Sequence, residues 1–198
     1  IKGIPNLSPE LFEWEYTTEN VSMMPAIINT LIITALSLLF ALPVGICSAI
    51  YLVEYAKRGN KLVSIVRITT ETLSGIPSIV YGFFGLVVIV PIMQDLTGTN
   101  GKGILTASIL LGIMILPTVI GVSESAIRAV PNSYYEGSLA LGATHERSVF
   151  FAVMPAAKQG ILAGVILGVG RAIGETMAVI MVAGNNTVMP KSIFSGVR

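Results

Sequence analysis

Residues 131–155 read PNSYYEGSLALGATHERSVFFAVMP. The block carries charge, tyrosines, a histidine and a glycine turn, yet it stands between two long apolar segments, residues 104–123 and 156–184. It is too polar to re-enter lipid and too well punctuated for a loose linker. Ser133-x-x-Glu136 has the spacing of a capping box and predicts a short helix starting near Tyr134. Gly142 supplies the left-handed residue that ends such a helix. A second short helix is expected over about residues 146–153, with apolar side chains at 149, 150, 153 and 154, stopping at Pro155. Two short helices joined at a glycine make an elbow. On the residues alone it is either an interfacial amphipathic segment or a handle for a partner.

Around this block the composition is that of a bilayer protein. Of 198 residues, 53% are hydrophobic and only 12% charged, against about 25% charged in an ordinary soluble domain, and the mean hydropathy is +0.80. The length suits one domain. A net charge of +1 with no basic run and no aromatic–basic interleaving gives no case for nucleic acid. The single cysteine, Cys47, excludes an internal disulfide or a cysteine metal cluster and reads as a small buried side chain. The chain begins at Ile1 without methionine and ends just after a span, so it reads as a fragment lacking a helix at each end.

Four spans are expected in an all-α bundle, at about residues 25–53, 69–93, 104–127 and 157–184. Crossing the hydrocarbon core takes about 20 apolar residues, and residues 21–53 carry no charge at all. Pro43 should kink this first span, and Asn29, Thr30 and Thr34 mark a face packed on protein. In the second run, Ser74-Gly75-Ile76-Pro77-Ser78 weakens the helix at membrane depth. It is either a proline kink or a stretch lining a pathway, since freed backbone groups need protein or a water-filled cavity around them. The glycine-rich GTNGKG at residues 98–103 lacks the spacing and the preceding strand of a phosphate loop, so nucleotide binding by this chain is excluded. Pro117 lies within the third span, whose exit is marked by Glu124 and Arg128, four apart on one face. The fourth repeats glycine at 160, 164 and 168 and again at 170 and 174, the small-xxx-small pattern of close helix packing.

Flanking segments complete the reading. Residues 1–24 are polar and acidic, a loop with one short helix, and residues 185–198 form a polar tail containing the weak sequon Asn185-Asn186-Thr187. Basic residues concentrate in residues 54–67 and 128–158, including Lys57, Arg58, Lys61, Arg67, Arg128, Arg147 and Lys158. The positive-inside rule places both segments in the cytoplasm and the two termini outside. Arg67 and Glu71, four apart, read as a surface salt bridge, and His145 as an isolated surface side chain.

Two groups of residues resemble a known family. Glu136-Gly137-Ser138, Gly142 and Ala152-Val153-Met154-Pro155 look like the EAA loop of ABC-importer permeases: Glu-Ala-Ala, three residues, Gly, nine residues, Ile-x-Leu-Pro. The Glu, Gly and Pro spacing matches in full, while Gly137, Ser138, Ala152 and Met154 depart from the pattern with small or apolar replacements. Gly170-Arg171-Ala172-Ile173-Gly174-Glu175-Thr176-Met177-Ala178 and Gly75-Ile76-Pro77-Ser78-Ile79-Val80-Tyr81-Gly82 are similar to the PstA/PstC-type permeases of phosphate ABC transporters. Tyr51-Leu52-Val53-Glu54-Tyr55 resembles the PstA side and GRAIGETMAV the PstC side, with the lean toward PstA.

The resemblance implies a type I ABC importer permease that moves inorganic phosphate across a bacterial or archaeal inner membrane. It implies a second permease subunit (homo- or heterodimer), a dimer of ATP-binding cassette ATPases, an extracytoplasmic phosphate-binding protein and surrounding lipid. The ATPase-coupling residues would be Glu136, Gly137, Ser138, Gly142 and Pro155. Neither a cofactor, a metal nor a catalytic residue is expected in the chain itself. Beside the resemblance stands the chemistry of the fourth span. A charge at mid-bilayer costs about 2.5–3.5 kcal/mol on the lenient insertion scale, so Arg171 and Glu175 need compensation. Four apart, they can form a structural ion pair. Alternatively Arg171 faces a polar path, where its planar fork matches two oxyanion oxygens, and Glu175 holds it when the path is empty. Ser74 and Ser78 would add hydroxyls to that path. Molybdate, tungstate and sulfate are the competing cargoes, and an ion-coupled secondary transporter the competing class. A membrane-embedded enzyme finds no nucleophile–base pair or metal cluster in the spans.

Overall fold

A computed structural model of the chain describes residues 22–56, 60–98 and 100–184, without the side chain of Leu62. The expected N-terminal helix, the tail with its sequon, and Lys57 and Arg58 lie outside the described residues. Among those described there is helix but no strand. α1 (Met24–Ile50) contains Pro43 and runs on into a π turn, Tyr51–Tyr55. α2 is Lys61–Gly75. α3 (Ser78–Phe84) continues through a π turn into α4 (Val90–Thr97), and α5 is Ile104–Arg128. α6 (Asn132–Ala140) and α7 (His145–Ser148) form the elbow. A third π turn, Val149–Val153, leads into α8 (Met154–Gly174), and α9 is Met177–Ala183. Among the described residues, four continuous stretches are long and apolar enough to cross a membrane: Met24–Tyr55, Ser78–Thr97, Ile104–Arg128 and His145–Gly174.

The residues group into two compact units, one within Ile1–Ser37, Pro77–Leu111 and Ile173–Arg198, the other Leu38–Ile76 and Gly112–Ala172. In the first, α3 lies on α9. A methyl placed on Gly82 would come within 3.0 Å of Ala178 Cα, and one on Gly85 within 2.8 Å of both Leu110 and Val182, so glycine is what allows the approach. In the second, Ala49, Ile50, Ile127, Val149, Val153, Ala157 and Ile161 form a buried apolar cluster, and Tyr135 of the elbow packs against it. The glycine stripe of α8 faces α5 there. A Cβ at Gly160 would collide with that of Ala126, one at Gly164 would lie 3.3 Å from Val122, and one at Gly168 3.1 Å from Ile115. Gly170 and Gly174 face open space, so the close-packed stripe stops at Gly168.

That difference carries a test. Gly160→Val should destabilise the protein by about 1–3 kcal/mol through overpacking, whereas Gly170→Ala should leave the melting temperature in detergent unchanged or slightly raised. Equal losses at both positions would show that helix propensity, not contact with α5, governs this helix.

The structure departs from the sequence reading at several points. The second apolar run is two helices, because Pro77 biases Ile76 away from helical dihedrals and Pro77 itself is extended (φ −61°, ψ 143°). Pro155 does not stop the elbow: the helix runs through it from His145 to Gly174. The preceding π turn bonds Met154 N–H to Val149 O, and this wider winding accommodates a residue that has no N–H to donate. The helix of the fourth apolar run, in contrast, breaks after Gly174, and α9 takes up residues 177–183. The capping box is not formed, since α6 begins at Asn132 with Pro131 as its N-cap and no side-chain cap bond. Proline, with its fixed φ, supplies the entry two residues ahead of the serine. Asn29 and Thr34 are buried as expected of a protein-facing side, but Thr30 is exposed and donates to Ala26 O. Cys47 is also exposed, on an outer, apolar face of α1.

Candidate functional site

The elbow is held rigid by a small number of local bonds. Gly142 has φ +84°; its N–H donates to Leu139 O at 2.8 Å, and Ala143 N–H donates to Ser138 O at 3.2 Å. This pair of bonds is the Schellman ending, which requires a left-handed residue at the position Gly142 occupies. Thr144 then starts the next helix, its hydroxyl accepting from Arg147 N–H. Across the turn, Ser148 Oγ donates to Ser138 Oγ at 3.1 Å. Glu136 and Gly137 stay exposed on α6, and a methyl on Gly137 would meet nothing.

His145 is not the isolated surface side chain expected. Its Nδ1 shares a 2.8 Å hydrogen bond with the Tyr135 hydroxyl. Its ring stands edge-on to both Tyr135 and Tyr55, with centroids 5.7 and 5.1 Å away. Tyr55 ends the π turn after α1, so the imidazole ties the elbow to the end of the first span. Nothing in the local sequence signals this, because Tyr135 and His145 are joined only through the glycine turn.

Arg171 lies in the last turn of α8, half-buried, and its Nη1 donates to Thr118 Oγ1 of α5 at 3.1 Å. Glu175 follows the end of α8 and accepts from Ala178 N–H of α9 at 3.1 Å. The unbroken turn on which an Arg171–Glu175 pair depends is therefore missing, and each side chain has a different partner. A helix C-terminus favours a cation and an N-terminus an anion, so the break itself supplies part of the compensation expected from pairing. Ser78 opens α3, half-buried, in the same unit as Glu175.

Ser74 belongs with Arg171 in the other unit. Its hydroxyl donates to Glu71 O, and it lines a cavity of about 350 Å³ together with Arg67, Pro117, Gly121, Glu124 and Arg128. Here the expected Arg67–Glu71 bridge is replaced by a longer-range one. Arg67 Nη2 donates to Glu124 Oε1 at 2.6 Å, and Arg128 Nε reaches the same oxygen at 3.1 Å. The i, i+4 pair Glu124–Arg128 is thus formed as its spacing indicates, and α2 adds a second guanidinium that no spacing rule could reveal.

Among the described residues, four stretches long and apolar enough to cross a membrane, a cavity lined by polar side chains and a two-helix elbow define a multi-pass helical membrane protein. Residues 41–196 match the family described as the binding-protein-dependent transport system inner membrane component, and the chain belongs to that family. Among relatives, it is 42% identical over 173 residues to the probable ABC transporter permease protein YqgH of Bacillus subtilis, covering 87% of this chain and 55% of that one. It is 35% identical over 202 residues to the phosphate transport system permease proteins PstC of Haemophilus influenzae and Mesorhizobium japonicum, covering 92% of this chain and 64% and 61% of theirs. The chain thus spans about 55–64% of the length of these curated relatives. Both phosphate-system relatives are PstC proteins, which weighs against the lean toward PstA drawn from residues 51–55.

Proposed function

We propose that this chain is the membrane-spanning subunit of an ATP-driven importer of inorganic phosphate in a bacterial or archaeal cell membrane. The observation that carries the reading is the family match together with 35% identity over nearly the whole chain to phosphate-system permeases. The elbow at residues 131–155 would face the cytoplasm and seat in a separate ATPase through Glu136, Gly137, Ser138 and Gly142. Its stiffness suits that work, since a lever must not yield at its bend. A second permease subunit and an external binding protein would complete the assembly. Arg171, presented by the last turn of α8, is the side chain best suited to meet a passing oxyanion, with Ser74 farther along the same unit. The chain itself performs no covalent step, and ATP hydrolysis belongs to the partner.

The test is reconstitution of the full-length subunit with its ATPase and binding protein in proteoliposomes. Phosphate should stimulate ATP hydrolysis and appear inside the vesicles, whereas molybdate, tungstate and sulfate should do neither. Stimulation by one of those anions instead would keep the permease and replace its cargo.

A further inference from the structure

The Arg67–Glu124–Arg128 cluster asks for more than a stabilising role. Two guanidiniums converge on a single carboxylate oxygen, and exposed ion pairs of this kind contribute little to stability. Each guanidinium carries five N–H donors in a planar fork, and the contact with Glu124 Oε1 engages one from each. The Arg67 and Arg128 side chains remain 44% and 51% accessible, against 15% for Glu124. The carboxylate is therefore the recessed member and the two cations are presented outward.

Their placement adds a second observation. Arg67 and Arg128 line the 350 Å³ cavity that reaches Pro117 and Gly121 on α5. They also line a cavity of about 790 Å³ that reaches Asn60 and Lys61 at the start of α2. The two arginines and Glu71 are the wall common to both spaces. A water takes up about 30 Å³ in the liquid, so either space admits a tetrahedral oxyanion with part of its hydration. At the far end of the smaller cavity, Pro117 adjoins Thr118, the partner of Arg171. Thr118 and Glu124 are six residues apart, a rise of about 9 Å along α5. Cationic groups thus meet this helix at two successive levels, Arg171 first and the arginine pair next.

Resting on the importer reading above, we infer that Arg67 and Arg128 form a second oxyanion site, on the elbow side of Arg171, where the arriving anion competes with Glu124 for the two guanidiniums. Glu124 is the resident counter-anion: it holds the forks in place while the site is empty and takes them back as the cargo leaves. Glu71, in the same wall, lowers the affinity further. Weak holding is what a transit site requires, since an ion bound too well does not leave.

The experiment uses the assembled transporter in phosphatidylcholine nanodiscs without the binding protein, with inorganic phosphate as the probe. Phenylglyoxal labelling of arginines is read by peptide mass spectrometry. Phosphate at millimolar concentration should protect Arg67 and Arg128 together, and Glu124→Gln should lower the half-protecting concentration at least tenfold. Arg67→Gln should raise it at least tenfold for Arg128. Absence of protection by any of phosphate, sulfate or molybdate in the unmutated transporter, which involves no variant that could misfold, overturns the site. So does an unchanged half-protecting concentration in Glu124→Gln. Protection only when phosphatidylglycerol is added would make the ligand a lipid headgroup and overturn the transit role. Protection by sulfate or molybdate but not phosphate would uphold the site while removing the phosphate reading. Normal phosphate uptake by the Arg67→Gln/Arg128→Gln variant would remove the site and leave the importer standing.

Discussion

Arg171→Ala is expected to reduce oxyanion uptake tenfold to a hundredfold while leaving the yield of the protein and its co-purification with the ATPase unchanged. Among the described residues, the guanidinium is held by one hydrogen bond to a threonine hydroxyl and by its position in the final turn of α8, with no carboxylate in ion-pair contact. Its fork is therefore available to an incoming anion. A hydrogen bond to a charged group contributes about 1.5–3 kcal/mol, and each 1.4 kcal/mol is about a factor of ten, which sets the expected range. Arg171→Lys keeps the charge but not the planar fork, so it should restore part of the uptake. Thr118→Val removes the hydroxyl that aims the side chain and should have a smaller effect. Uptake assays in proteoliposomes, run beside a pull-down of the ATPase, separate the two possibilities. Loss of assembly in Arg171→Ala would make the residue a structural cation and withdraw it from the pathway.

Gly142→Pro should produce the opposite pattern, a chain that still enters the membrane but no longer retains its ATPase. Gly142 sits at φ +84°, a region closed to proline, whose ring fixes φ near −65°. The substitution also removes the N–H that donates to Leu139 O. Misplaced proline costs about 3 kcal/mol or more, and here the cost falls wholly on the bend that orients α6. A side chain at this position would meet no neighbour, so the penalty comes from the backbone and not from crowding. Gly142→Asn is the matching control, because asparagine tolerates the left-handed conformation, and it should retain most ATPase binding. Full ATPase retention in Gly142→Pro would show that docking does not depend on the elbow's shape.

The two predictions draw on parts of the molecule that were legible in the sequence to different degrees. The glycine turn was readable because its cause is local: one residue's dihedral preference and two bonds within six residues decide it. The α8–α5 glycine stripe was readable for the same reason, as a period of four on one helix, although only the structure shows that it ends at Gly168. The i, i+4 relation between Arg171 and Glu175 does not carry over to the structure, because it presumes an unbroken helix and α8 stops between them. Pro155 was misread in the reverse sense, as a stop, because a π turn that accommodates it leaves no mark in the composition.

Composition, hydropathy and the glycine at position 142 were enough by themselves to indicate a helical membrane protein with a bend at that residue, since span length and turn chemistry depend on neighbouring residues only. The partners of its charged and aromatic side chains were decided by the tertiary structure: Glu124 for Arg67, Thr118 for Arg171, and Tyr55 beside His145. Those pairings join residues 53 to 90 positions apart. They depend on which helix faces meet and at what level, which the packing of the whole helix sets and no short pattern encodes.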